Sequence, residues 1–356
     1  MARWNDLSVA LNTLREIDVT AIRAEAERPL TIVCVGAPGV CQTIAARLES
    51  GPQRYGATGP SPVRLASLQT IVPDELRDVD LIIIGLDHNV RLSARELATI
   101  DRLALLALPT VLVVWGTTLP PDAGPLHPRV AHARLLVVPD PAASDVNAQL
   151  AEAVLDRLPA DLHLAAARRL PGLRAVVARN LINSVAFTNA SYVLATAVPA
   201  QIPLFNIPFA AADILVLTKN QAILVYRLGL AYGAPPDLRE RLREVLPVIG
   251  GAFIWRQLAR ALVGLIPVWG IAPKVAIAYA GTYTTGMAAW RWFAEGELVD
   301  QGRLRELGQE ALELGKARAA ELIAAVRATG ARQMSRWQRF RASLRKSLQR
   351  NRKQPG

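Results

Sequence analysis

Cysteine is nearly absent: Cys34 and Cys41 are the only two in 356 residues. Their spacing fits neither a zinc ligand set nor a C-x-x-C redox pair, so both are read as free thiols of a reducing compartment. Aromatic residues make up only 5% of the chain, which leaves few platforms on which single-stranded bases could stack. Histidine is also sparse. His88, His127, His132 and His163 stand at no spacing that joins a metal site or a triad, and none is given a catalytic or metal role. Charge is missing from Asn180 to Ala212, and acid is missing after Glu321. The N-terminus, Met1-Ala2-Arg3-Trp4-Asn5-Asp6, does not open an apolar signal-peptide core, so the bulk of the chain is expected in the cytoplasm.

What is present pulls in two directions. Hydrophobic residues make up 51% of the chain, yet the net charge is +11. A chain both apolar and basic suits an anionic membrane surface. Nucleic acid is the rival partner, because phosphates attract the same charges. The length allows two domains, each with its own core.

Leu7, Leu11 and Leu14 share a helical face, so residues 1–27 read as a leading amphipathic helix. Four short apolar runs follow: 30–35, 81–84, 110–114 and 135–138. Helical patterns at about 40–49, 90–107 and 144–157 separate them, with Ser144 as the cap of the last. Val63-Arg64-Leu65 is a further strand candidate. Near-continuous apolar strands alternating with helices predict a parallel sheet covered on both faces.

The first run leads into Gly36-Ala37-Pro38-Gly39-Val40-Cys41-Gln42-Thr43. In this strand-to-helix position it resembles the phosphate loop of P-loop NTPases. Residues 28–158 as a whole resemble an Era/Ras-like GTPase domain. The pattern departs from the family where chemistry matters. Cys41 stands in place of the glycine and Gln42 in place of the lysine, so the ammonium that neutralises the β/γ-phosphates is gone. Where such GTPases read guanine through Asn/Thr-Lys-x-Asp, this chain has Trp115-Gly116-Thr117-Thr118. Asp87, just past the run 81–84, could stand as a metal-side carboxylate and reads rather as an ordinary loop acid. The vestigial nucleotide site is Gly36, Gly39, Gln42 and Thr43. No catalytic residue, metal or firm cofactor is assigned, and weak GTP binding is what the resemblance still allows.

The expected domain boundary is Leu158-Pro159-Ala160-Asp161. Beyond it strand signals stop. Residues 165–180 form a basic helix, or a pair broken at Pro171-Gly172. Residues 165–298 resemble the uncharacterised domain of the YcjF-like bacterial membrane-associated proteins. The resemblance is carried by Asn189-Ala190, the Pro199 to Pro208 segment, Gln221 with Val225-Tyr226-Arg227 and Tyr232-Gly233, Ile266-Pro267 with Gly270, Thr282-Tyr283 and Gly286. It implies a hydrophobic helical domain following a GTPase-like one, and membrane association without an established reaction. Ala276, Ala280 and Gly281 put small side chains on one helix face, which lets helices approach closely. The charge-free pieces 261–273 and 275–290 fall short of the roughly 20 apolar residues of a span. Two-pass insertion, re-entrant hairpins and a soluble bundle all fit. Asp213 and Arg227 are expected either as a buried pair or facing solvent.

Residues 303–356 close the chain. Leu304, Leu307, Ala311, Leu314, Leu322 and Ala325 predict a long docking helix whose row Arg318 interrupts. In the basic tail, Trp337, Phe340, Leu344 and Leu348 form an apolar stripe among Arg336, Arg339, Arg341, Arg345 and Lys346, the pattern of an interfacial helix. A disordered basic tail is the alternative.

The expected fold is an α/β parallel-sheet, P-loop GTPase-like domain joined to an all-α hydrophobic helical domain. The expected function is a non-catalytic membrane-associated scaffold at the cytoplasmic face of the cell membrane, held integrally or peripherally. Its partners would be anionic lipid and a protein, or a second copy of itself. A nucleotide-responsive switch is the alternative, which Gln42 and the 115–118 loop argue against. A nucleic-acid-binding protein is the third reading. The apolar stripe argues against it, since nucleic acid needs none.

Overall fold

The computed structural model describes residues 18–55, 59–120, 133–197, 211–236, 271–297, 299–300, 302–325 and 328. The row Leu7, Leu11 and Leu14 and the whole basic stripe from Arg336 to Leu348 lie outside them. The chain divides into two compact units: Met1–Asn183 with Gln221–Gly250 and Gly286–Val299, and Ser184–Asn220 with Gly251–Thr285 and Asp300–Gly356. The expected boundary at 158–161 therefore lies inside the first unit.

The first unit is α/β. Strands β1 (Ile32–Gly36), β2 (Val63–Ala66), β3 (Leu81–Asp87), β4 (Thr110–Trp115) and β5 (Arg134–Val138) form one sheet in the order β2-β1-β3-β4-β5. Every pairing is parallel, with Cys34 opposite Ile83 and Ile84 opposite Leu112. The apolar runs have a direct cause. Strands β1, β3 and β4 lie inside the sheet and are covered on both faces, so consecutive residues are buried. Val33, Val35, Ile82, Ile84, Leu112 and Val114 point to one core with Leu68, Ile100 and Leu103. The edge strands β2 and β5 carry Arg64 and Arg134 and leave Leu65 and Leu135 exposed.

The described helices of this unit are α1 (Thr20–Glu27), α2 (Pro38–Glu49), α3 (Ala94–Leu105), α4 (Val146–Arg157), α5 (His163–Arg169), the start of α6 (Arg174–Ala197) and the ends of α7 (Ala211–Ala231) and α8 (Ile271–Glu295). Ser144 does not cap α4. Asp145 holds the N-cap position in helical conformation without a capping bond, and its carboxylate instead accepts from Gln149 Nε2 at 2.6 Å. Of the arginines after the sheet, Arg179 is exposed and pairs with Glu152, while Arg168 and Arg174 turn inward. A turn at Pro171–Leu173 separates α5 from α6, and the chain bends there so that guanidinium groups meet carbonyls. Arg168 donates to Leu230 O and Ala234 O. Arg174, 1% exposed, donates to Ala167 O, Arg168 O and Pro52 O. Its burial lowers the guanidinium pKa to about 10. Arg227 lies on α7, and the side chain of Asp213 falls outside the described ones. The partner of Arg227 is Glu25 of α1, and both side chains are about a quarter exposed.

The second unit is helical. Its core joins Ala186, Ala190 and Val193 of α6, Leu217 of α7, Val275, Ala276, Ala278 and Tyr279 of α8 (Ile271–Glu295), and Ala319 of a ninth described helix, α9 (302–325). Small residues permit this closeness. A Cβ at Gly315 would stand 2.4 Å from Ala276 O. A polar ladder crosses the core: Asn220 Nδ2 donates to Asn189 Oδ1 at 2.7 Å, and Asn189 Nδ2 donates to Thr282 Oγ1 at 2.8 Å. These bonds satisfy amides that would be costly to bury alone. The seam of α9 runs Leu304, Leu307, Ala311, Gly315 and Ala319, while Leu314 is 45% exposed. Leu314 therefore leaves the expected row, and Arg318 pairs with Glu321 off the seam. Among the described residues no helix is long and apolar enough to cross a membrane.

Candidate functional site

In the order β2-β1-β3-β4-β5 the chain leaves β1 in one direction and returns to β3 on its other side. A doubly wound sheet opens a crevice at such a reversal, beyond the strands' C-terminal ends. A cleft of about 520 Å³ lies there. Gly36, Ala37, Pro38 and Gly39 form one wall, Ser67 and Gln69 another, and Asp87, Val90, Glu96 and Trp115 the remainder.

The turn after β1 is short. Gly36 has φ +140, and a Cβ on it would stand 2.0 Å from Gly85 O, so only glycine fits this close crossing of β1 and β3. Ala37 N–H then donates to Gly85 O at 2.8 Å, and α2 begins at Pro38. Proline suits the first helical turn, where its missing N–H has no partner to lose. Cys41 N–H already donates to Ala37 O at 3.0 Å. The segment is thus wound into helix from Pro38, which has no N–H, and the Ala37 and Cys41 N–H groups go to Gly85 O and Ala37 O; those of Gly39 and Val40, in the first turn, stand outside the intrahelical ladder.

Of the four vestigial nucleotide residues, Gly36 and Gly39 line the cleft. Gln42 and Thr43 sit further along α2, outside its lining. Gln42 faces solvent. The Thr43 hydroxyl donates back to Gly39 O at 2.9 Å.

Asp87 ends β3 and lines the cleft. Its carboxylate accepts from Asn89 N–H at 2.9 Å. His88 Nδ1 lies 2.9 Å from Trp115 O and 3.6 Å from Asp87 Oδ1. With Nδ1 donating to that carbonyl, Nε2 is the basic nitrogen. Glu96 belongs to a capping box with Ser93, readable in the sequence as Ser-x-x-Glu before an apolar-periodic helix. Hydrogen bonds from the Ser93 backbone and hydroxyl hold the Glu96 carboxyl below its ordinary pKa. Among the described residues, Asp87 and Glu96 are the charged side chains of the lining.

Cys34 and Cys41 meet behind the turn, buried between β1 and α2 as free thiols. A hydrogen bond between them, with burial, raises the Cys34 pKa. The same bond lowers that of Cys41, whose sulfur also accepts from the Gly85 backbone. Among the described residues no three His, Cys, Asp or Glu side chains are placed to hold a metal ion.

Compared with known proteins, the chain matches no family model and no curated sequence.

Proposed function

We propose that this protein is a non-catalytic, membrane-associated scaffold whose α/β unit keeps the outline of a P-loop GTPase and has lost its phosphate chemistry. The observation that carries this reading is the cleft at the sheet's reversal. Helix α2 starts directly after Ala37, and among the described residues the lining brings two carboxylates and no cation to where a triphosphate would lie. Phosphate recognition needs free N–H groups at a helix start and positive charge. Here Pro38 removes one N–H, Ala37 gives its own to Gly85 O, and the field of the lining has the wrong sign.

The membrane part of the reading rests on the sequence. The stripe Trp337, Phe340, Leu344 and Leu348 would enter the headgroup boundary. Each flanking arginine or lysine adds about 1 kcal/mol on an anionic leaflet. A nucleotide-responsive switch is the second reading, favoured by the position and size of the cleft.

Calorimetric titration of GTP and ATP, with magnesium, into the full chain tests the proposal. No saturable binding is expected at micromolar concentration. Tight binding of either nucleotide would select the switch.

A further inference from the structure

The first unit holds a second cavity, of about 430 Å³, remote from the cleft in its lining. Its wall is built from the end of α2 and the Gly51-Pro52 turn, from Asn147 of α4, from the Pro171-Gly172 turn, and from Tyr232, Met287, Trp290 and Arg291. Two features make it a site rather than a gap.

The first is cationic. Arg47 is fixed in place: Nη1 donates to Asn147 Oδ1 at 2.6 Å and Nη2 to Pro141 O. Its Nε–H is buried and has no partner. Arg291 makes no hydrogen bond or ion pair with the described residues. That Nε–H is enclosed, so a ligand would meet Arg47 through the part of its guanidinium that lines the cavity, beside Arg291. An anion there would face two positive groups, one of them already held in place, which lowers the entropic cost of binding.

The second is apolar. Trp290 Nε1 donates to the Tyr232 hydroxyl, so the indole N–H is taken and the hydroxyl oxygen already accepts one bond. What the pair chiefly offers a ligand is ring surface, continued by Met287 and Pro171. Beneath Tyr232 lies the buried Arg174 guanidinium, 5.6 Å from the ring centroid, bound to carbonyls and adding positive field.

The geometry points to a binding site for a small carboxylate with an apolar body, its carboxylate on Arg47 and Arg291 and its body against Tyr232, Met287 and Trp290. A carboxylate fits better than a phosphate dianion, because Glu295 also lines the cavity and leaves the lining with one net positive charge. The site shares no residue with the cleft and does not depend on the scaffold reading.

The test titrates 2-naphthoate into the full chain, with the uncharged 2-naphthamide and the dianionic 2-naphthyl phosphate as comparison probes. Naphthoate is expected to bind saturably, about tenfold or more tighter than the amide. Arg291→Gln, at a residue with no other described partner, should weaken it about tenfold. Ala294→Trp should fill the cavity and abolish binding while the circular dichroism spectrum stays unchanged. Naphthoate binding that Arg291→Gln leaves intact would belong to the basic surface elsewhere and overturn the assignment. Equal affinity for the amide, tighter binding of the phosphate, or no saturable binding below about 1 mM would overturn it as well.

Discussion

Gly36 shows how one residue sets the site. Its φ of +140 and the 2.0 Å approach to Gly85 O leave no room for a side chain, and the crossing aims the chain directly into α2. Gly36→Ala is expected to cost more than about 2 kcal/mol, combining backbone strain with a clash against a central strand. A shift of the urea unfolding midpoint measures it; an unchanged midpoint would mean β1 and β3 are not so closely apposed. The glycine itself is legible in the sequence, as is the loss of lysine at Gln42. What the sequence hides is the conformation between them. Gly36-Ala37-Pro38-Gly39 reads equally as an open phosphate loop or as a strand end followed at once by helix, and proline at the first helical position settles on the second. Asp87 is legible as a carboxylate just past an apolar run, while its neighbour Trp115 across β4 and its place in the cleft come from the sheet.

Helix α3 illustrates an element fixed at its end. Ser93 Oγ accepts from Glu96 N–H, and Glu96 Oε2 accepts from Ser93 N–H at 2.8 Å. Ser93→Ala should cost about 1 kcal/mol. The lowered Glu96 pKa gives the contribution a pH dependence. Below the unfolded value of about 4.3 the unfolded chain binds the proton that the folded chain still refuses, so stability rises with pH there. The contribution is complete above that value and is lost as pH falls through the lower folded value. Glu96→Gln is expected to flatten this slope between about pH 4.3 and the folded value; a thermal-melt series that keeps the slope would place the depressed carboxyl elsewhere. At this scale the sequence is most readable where burial is two-sided. The runs of β1, β3 and β4 announce themselves, and the strand candidate Val63-Arg64-Leu65 lies in Val63–Ala66, whose edge position only the sheet order reveals. The cap of α4 and the seam of α9 went astray because each depends on a neighbour. Asp145 turns to Gln149, and Gly315 against Ala276 O selects which face of α9 docks. The second cavity was wholly illegible, since Arg47, Asn147, Tyr232 and Arg291 meet only when distant segments fold together.

For the whole molecule the controlling quantities are a net charge of +11 and an apolar share of 51%. Removing residues 330–356 deletes Trp337, Phe340 and nine of the arginines and lysines after Glu321. The truncated chain should bind phosphatidylserine-containing vesicles more weakly, and its residual binding should show a smaller dependence on salt. Equal pelleting of the two forms would mean that the tail is not the anchor. The account's central claim joins membrane attachment with indifference to nucleotide. Flotation of the full chain with anionic vesicles, with and without magnesium and GTP, tests both together. The expected result is a protein that floats with the vesicles in the same proportion under either condition. A protein that stays at the bottom of the gradient, or whose floating fraction moves with GTP, would contradict it.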